Sequence, residues 1–278
     1  MPARLLDLGK TNRLVVVSDV HMRTPEDPRT EMFCRFLDEL HDCDTLVLLG
    51  DIFDFINARQ VFYHKLWNKV FGRLKRIRES GVRVVFIEGN HDYGFEHRPC
   101  HQVRECFDFC GDFVARIHHS VIGKMLLLHS DDVVCPPSYR VFRGLVKSAL
   151  FQSCMSPIPG AATSFLFSRY AELSRSKDAY RRLSSSFLTS CVEDFLNTKA
   201  STFAEDLKVC VFGHIHVQLD DVLNDVRFVS GPDWFSAPSA MTFSAEGQLQ
   251  RTWLKDDAVV PERFVFASST GLLSGVQA

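Results

Sequence analysis

Five runs of apolar, β-prone residues punctuate the chain, at Arg13–Val17, Thr45–Leu49, Arg83–Ile87, Lys124–Leu127 and Lys208–Phe212. Runs of this length predict strands. Between the first two, Met32, Phe33, Phe36, Leu37 and Leu40 recur at helical spacing. From His64 to Ser80 the residues Leu66, Trp67, Val70, Phe71, Leu74 and Ile77 share one helical face, which predicts a single helix. Lys65, Lys69, Arg73, Lys75, Arg76 and Arg78 occupy the remainder and read as a solvated surface. Further β signals run from Phe113 to Leu128 and from Val209 to Leu254, so strands and helices alternate through the first half and strands dominate the end. The fold class is α/β.

Each of the five runs is followed by a short polar motif: Ser18-Asp19-Val20-His21, Gly50-Asp51-Ile52-Phe53-Asp54, Gly89-Asn90-His91-Asp92, Leu128-His129-Ser130-Asp131 and Gly213-His214-Ile215-His216. Taken singly, several have bland explanations. Asp51 could bind its own turn backbone, Gly89-Asn90 is a common turn pair, and His129 ends an apolar strand as core histidines do. Taken together they place ligand-type residues beyond five strand ends, where open α/β sheets bind their ligands. The candidate set is Asp19, His21, Asp51, Asn90, His129, His214 and His216. That is too many for one four-coordinate zinc. It suits two divalent ions sharing a carboxylate, and the absence of thiolate points to Mn, Fe, Co or Zn. Paired ions ~3.5–4 Å apart hydrolyse phosphoesters by activating water and clamping the phosphoryl oxygens.

Composition narrows this reading. A formal net charge of -2 argues against bulk attraction to nucleic acid. Nine cysteines, an odd number scattered without metal spacing, form no disulfide framework. Cys34, Cys154 and Cys210 sit among apolar neighbours and read as reduced thiols, which sets the expectation of a cytoplasmic protein. Met1 to Asn12 carries no apolar signal core, and no apolar run reaches the ~20 residues that span a bilayer.

The ordered motifs D-x-H, G-D-x-x-D, G-N-H-D, H-x-D and G-H-x-H resemble the calcineurin-like metallophosphoesterase superfamily over residues 13 to 254. Leu128 and Ser130 depart from the usual G-H-G-D of the fourth block, while His129 is kept. The resemblance implies an αββα-type architecture: two packed mixed β-sheets flanked by helices, with the metals at one edge. It implies that Asp19, His21 and His216 hold one ion and Asn90, His129 and His214 the other, with Asp51 bridging. Mn2+ is the first expectation for both. His91 would act beside the phosphate as a catalytic residue, with Asp92 or another carboxylate orienting it. A scaffold on the same fold need not keep all seven ligand positions, so an enzyme is expected.

A narrower resemblance rests on Gly50-Asp51-Ile52-Phe53-Asp54-Phe55, on Ser138-Tyr139-Arg140-Val141-Phe142-Arg143 and on Gly231-Pro232-Asp233-Trp234. These are similar to the UDP-2,3-diacylglucosamine pyrophosphatases of lipid A synthesis, which implies hydrolysis of a UDP-linked diacyl sugar to UMP and the acylated sugar 1-phosphate. A phosphodiesterase or phosphatase of the same superfamily, acting on a nucleotide or phosphoprotein, is the alternative.

About eighty residues separate His129 from His214, more than one crossover needs. Val141–Phe151 and Ala161–Leu173 predict two helices around Pro157-Ile158-Pro159-Gly160. Their apolar content suits acyl chains, since each buried methylene contributes roughly 0.8 kcal/mol. The expected organisation is a core of residues 13–135 and 183–262, a helical cap at 136–182 and a loose tail at 263–278. Arg169, Arg175, Lys177 and Arg181, with Asn90, are candidates to bind the diphosphate by charge-assisted bonds. Peripheral contact of the apolar cap with the inner membrane completes the expectation.

Overall fold

The five apolar runs fold as strands whose ends lie within one residue of the predicted bounds. The computed structural model describes residues 4–133, 135, 137–155, 157–164, 190–191, 193–195, 197, 205–216, 219–234, 237–255 and 258–264. In chain order the strands are β1 (Arg4–Thr11), β2 (Leu14–Val17), β3 (Thr45–Leu49), β4 (Ile56–Asn57), β5 (Arg83–Ile87), β6 (Asp92–Tyr93), β7 (Phe109–Gly111), β8 (Phe113–His119) and β9 (Gly123–Leu128). They continue with β10 (Leu207–Phe212), β11 (Asp220–Leu223), β12 (Val226–Ser230), β13 (Ser239–Phe243), β14 (Leu249–Lys255) and β15 (Ala258–Phe264). The helices are α1 (Pro28–Glu39), α2 (Val61–Leu66), α3 (Asn68–Glu79), α4 (His101–Arg104), α5 (Pro137–Val146) and α6 (Ala149–Met155).

Two mixed sheets carry the fold. One runs β1-β8-β9-β10-β12-β11, the other β15-β14-β13-β2-β3-β5-β7. Strand alternation assigns each residue to a layer. Val16, Val47, Leu49, Val85 and Ile87 of the second sheet meet Ala115, Ile117, Met125, Leu127, Val209 and Val211 of the first between the sheets. Their alternates Val15, Val17, Leu46, Leu48, Val84 and Phe86 face Phe33, Leu37, Val70, Phe71 and Leu74 of α1 and α3. On the far face of the first sheet Leu126, Leu128, Cys210 and Phe212 pack with Phe195 and Phe228. Both faces of the central strands are therefore buried, which is why they read as continuous apolar runs.

The architecture places the site. β2, β3 and β5 are parallel neighbours in one sheet, and β9 and β10 in the other. All five loops at their carboxyl ends leave from the same edge.

Three expectations change. The core begins before residue 13, because β1 pairs with β8 from Arg4 to Thr11. As an edge strand only Leu8 and Thr11 are buried in it, so its pattern is too polar to betray it. The helix expected over His64–Ser80 is two helices broken at Trp67, whose φ of -99° and ψ of 25° leave the helical region. The indole is buried against Phe53, with ring centroids 5.0 Å apart. The expected helix Val141–Phe151 is likewise two, α5 and α6, parted at Lys147-Ser148. The basic face of α3 is a set of ion pairs: Arg73 and Arg76 with Asp38, Lys75 with Glu105 and Arg78 with Asp108. Helical backbone resumes at residues 160–164. The rest of the expected helix Ala161–Leu173, and the tail beyond 264, lie outside the described residues.

Candidate metal centre

The loops that leave the five strands are bent by left-handed backbone at the candidate ligands themselves. Asp19, His21, Asp51, His214 and His216 all have positive φ, between 44° and 69°, and Ser130 beside His129 has 71°. For residues with a side chain this conformation costs roughly 1–2 kcal/mol each. Such strain concentrates where geometry serves function. Backbone bonds tie the loops to one another: Asp19 N–H donates to Gly50 O at 3.0 Å and His21 N–H to Asp51 O at 2.9 Å. Gly89 shows how closely they approach, since a Cβ there would stand 2.1 Å from Asp51 Oδ1.

The side chains converge in overlapping groups. Asp19, His21 and His216 can point one ligand atom each within 4.8 Å of one another, and so can Asp51, His129 and His214. His21, Asp51 and His91 form a third such group that joins the other two. Asp51 lies between them: His21 Nε2 is 3.7 Å from its Oδ2 and His129 Nε2 3.5 Å from its Oδ1. Asn90 Oδ1 lies 3.3 Å from His129 Nε2. All seven candidate ligands thus come together.

The histidines are oriented as metal ligands are. His129 Nδ1 lies 2.9 Å from Leu49 O and, as donor to that carbonyl, turns Nε2 toward Asp51 and Asn90. His216 Nδ1 is held 2.9 Å from Asp233 Oδ1, with Nε2 facing Asp19 at 3.6 Å. An outer hydrogen bond that fixes the ring and its tautomer is the usual companion of a ligating imidazole. The donors fit two divalent ions of borderline character.

Electrostatics support the same placement. His129, His91 and His21 hold the Asp51 carboxyl well below its ordinary range despite complete burial. Burial opposes charge on His129, but Asp51 outweighs it and raises that ring to about 10. Burial, with His129 beside it, lowers His214 to about 3. The buried Asp51 carboxylate thus draws positive charge into the site, here onto the His129 ring, while His214 is kept neutral as a ligating imidazole must be.

Asp92 does not orient His91. Its carboxylate is turned inward, 3.4 Å from the backbone N–H groups of Ile52, Phe53 and Gly89, where it steadies the loops. Burial, then the nearby Asp51, raises it to about 8. His91 is held instead by backbone: Nδ1 lies 2.8 Å from Asp54 O, and its N–H donates to Asp51 Oδ1 at 2.9 Å. Asp54 and Asp233 are the two supports that the sequence reading left without a role. Each already stood in a quoted block, so their nearness to a ligand motif was the available signal. Arg169, Arg175, Lys177 and Arg181 lie outside the described residues.

A model of the calcineurin-like phosphoesterase family matches residues 12–218, a span that holds all seven ligand positions. The chain belongs to the calcineurin-like phosphoesterase family. A metal-dependent phosphohydrolase is what this membership, with the paired ligand groups, makes it. UDP-2,3-diacylglucosamine hydrolase of Vibrio vulnificus (strain YJ016) is 27% identical over 242 residues, covering 83% of this chain and 93% of that protein. The enzyme of the same name from Stenotrophomonas maltophilia (strain K279a) is 26% identical over 243 residues, covering 83% and 94%. Among solved structures, Vacuolar Protein Sorting 29 from Cryptosporidium parvum aligns with a TM-score of 0.45 at 12% identity, over 92% of this chain and 98% of that one.

Proposed function

We propose that this phosphoesterase hydrolyses the diphosphate of UDP-2,3-diacylglucosamine, giving UMP and 2,3-diacylglucosamine 1-phosphate. The observation that carries the hydrolytic part is Asp51, set between two groups of histidine and carboxylate ligands. Bound there, a pair of divalent ions supplies water activation near neutral pH and charge compensation for the phosphoryl oxygens. Asp19, His21 and His216 would hold one ion, Asn90, His129 and His214 the other, and Asp51 both, with Mn2+ the first candidate. His91, fixed through Nδ1 by Asp54 O, would present Nε2 to the phosphoryl group and hold it in place. A sugar phosphate leaves readily, so His91 serves mainly to orient and stabilise.

The acylated part of the substrate rests on the curated relatives and on the segment that overhangs the site. α5 and α6 pack over Phe55 and Tyr93, each one residue beyond the ligand-bearing loops at Asp54 and Asp92, and leave only a narrow apolar gap. Val146, Phe151 and Met155 line its other side. An apolar segment beside a phosphate site suits the acylated part of a sugar nucleotide. No helix among the described residues is long and apolar enough to cross a membrane; contact with the inner membrane through the exposed apolar side chains of α5 and α6 fits a cytoplasmic enzyme with a lipid product.

The deciding experiment is hydrolysis of UDP-2,3-diacylglucosamine by Mn-reconstituted protein, with Asp51→Asn as the blank and products resolved by mass. UMP and the acylated sugar phosphate, absent from the blank, are the expected result. Cleavage of a simple phosphodiester without turnover of the lipid would keep the metal chemistry and end the substrate assignment.

A further inference from the structure

A cation stands at the rim of the metal centre with no carboxylate paired to it. Arg23 is exposed and makes no ion pair or hydrogen bond among the described residues. It follows Met22, whose extended backbone forms a parallel bridge with Phe53. Met22 N–H donates to Ile52 O at 3.1 Å, and Asp54 N–H donates to Met22 O at 2.8 Å. The Met22 side chain is wholly buried in the core. Neighbours of a residue in extended backbone leave on the side opposite to it. Arg23 therefore leaves on the side of His21, the candidate ligand two residues before it.

The start of α1 shows what lies on that side. Phe33 meets Trp234 edge to face, with ring centroids 5.7 Å apart. Arg29, one helical turn earlier on the same face, is thereby brought toward Asp233. The charged groups around its guanidinium are Asp27, Arg23, Asp54 and Asp233. Asp54 Oδ1 lies 3.7 Å from His21 Nδ1, and Asp233 Oδ1 lies 2.9 Å from His216 Nδ1. Arg29 is thus answered by the carboxylates behind two candidate ligands, while Arg23, beside the same centre, keeps an unpaired charge turned to solvent.

Resting on the diphosphate part of the reading above, we infer that Arg23 determines specificity by gripping the phosphate that lies outside the metal pair. Two ions clamp the oxygens of one phosphoryl group. The second phosphate of a diphosphate then stands beyond the ligand ring, with its own negative charge to be met. A guanidinium presents a planar fork that bonds two phosphate oxygens at once. A phosphodiester with a single phosphorus offers nothing at that place. Arg23 therefore separates diphosphates from single phosphates, and does not distinguish one sugar or acyl chain from another.

The test is titration calorimetry of UDP and of UMP into the Mn-reconstituted full chain, with Mn2+ in excess of nucleotide. Wild type is compared with Arg23→Gln, Arg23→Lys and Lys10→Gln. The last removes the same charge from β1 where it pairs with His118, away from the ligand loops. Wild type is expected to bind UDP more tightly than UMP by roughly tenfold to a hundredfold, the scale of a hydrogen bond to a charged group. That preference should fall roughly tenfold in Arg23→Gln through a weaker UDP constant. Arg23→Lys should keep part of it and Lys10→Gln all of it. A preference absent from wild type, or kept in Arg23→Gln, overturns the inference. Equal weakening of UDP and UMP does so too, because it places Arg23 on the phosphate held by the metals. An equal loss in Lys10→Gln would reduce the effect to overall charge, and manganese lost from Arg23→Gln would make the residue a support of the His21 loop; either overturns it. The lipid is judged separately. Wild type that fails to hydrolyse UDP-2,3-diacylglucosamine, while its UDP preference depends on Arg23, ends the substrate assignment and upholds the inference.

Discussion

Arg143 of α5 grips Asp131 with both Nε, at 2.6 Å from Oδ2, and Nη2, at 3.1 Å from Oδ1, and the carboxylate it holds is two residues beyond His129. The same Nη2 bonds Asp112 Oδ1 at 2.8 Å. One turn later Lys147 reaches Glu88 at 3.5 Å and Asp112 at 3.8 Å, and Glu88 stands two residues before Asn90. α5 and the turn that follows it thus fasten the loops that carry two candidate ligands, His129 and Asn90. Burial alone would raise the Asp131 carboxyl; Lys147 and Arg143 outweigh it and hold it below its usual range. Removing one partner from a buried pair leaves an uncompensated charge at a cost of about 3–5 kcal/mol. Arg143→Met should therefore lower the denaturation midpoint sharply, and Arg143→Met with Asp131→Leu should recover part of the loss. A single variant as stable as wild type would show that the fork carries no stability.

The Asp233 carboxylate and the His216 ring make a second such support. Asp233→Ala should weaken metal affinity roughly 10–100-fold, the usual effect of losing a ligand's outer hydrogen bond. His91→Ala should behave oppositely, retaining metal while turnover falls about 10²–10⁴-fold. Metal content by mass spectrometry beside kcat separates the two. Loss of metal from His91→Ala would contradict its assignment to the phosphate.

Two glycines should respond in opposite directions to alanine. At Gly89 the new Cβ would stand 2.1 Å from Asp51 Oδ1 and 2.4 Å from Asp51 N, so Gly89→Ala must displace the Asp51 carboxylate and should abolish metal binding. At Gly72, inside α3, a Cβ meets nothing within 4 Å. Gly72→Ala should stabilise the protein by about 0.5–1 kcal/mol through helix propensity. Metal retention by the first variant, or a lowered Tm in the second, would contradict the geometry.

The exposed apolar side chains of the overhanging segment, Val141, Leu145 and Leu150, are 77%, 60% and 76% accessible. Three separated charges in their place should reduce co-flotation with vesicles containing anionic lipid, while leaving cleavage of a soluble phosphodiester intact. Equal flotation of the two proteins would remove the membrane contact.

The second sheet's parallel centre and the convergence of the candidate ligands were legible because burial on both faces writes long apolar runs, and because five strand ends meet at one edge. Leu14–Val17 and Thr45–Leu49 need no tertiary information to be read as strands. β1 was hidden by the opposite circumstance: an edge strand alternates Leu with Arg, Asp and Lys, and its membership depends on β8, about a hundred residues away. The break at Trp67 was illegible because the apolar period continues through it; what interrupts the helix is the burial of the indole against Phe53. Asp92 was misassigned for a related reason. Adjacency in sequence put it beside His91, but the carboxylate turns inward to the amides of Ile52, Phe53 and Gly89 while the His91 ring faces Asp54 O.

His119 closes β8 at the opposite end of β9 from His129, and it should give stability a pH dependence of its own. The residue is completely buried, and its Nδ1 accepts from the N–H groups of Val121 and Ile122, each at 3.3 Å. Burial lowers its affinity for a proton below the ordinary histidine value of 6.5, and backbone carbonyls only partly oppose this. Between its folded and unfolded values the unfolded chain binds more protons, so stability rises with pH there. The contribution is fully present above about 6.5 and is lost progressively as pH falls toward the lowered folded value. His119→Asn presents an acceptor to the same amides but cannot take up a proton in this range. Its urea midpoint should fall less than that of wild type between pH 7.5 and 5.5. Parallel declines in the two proteins would mean that His119 is as readily protonated in the fold as in the open chain.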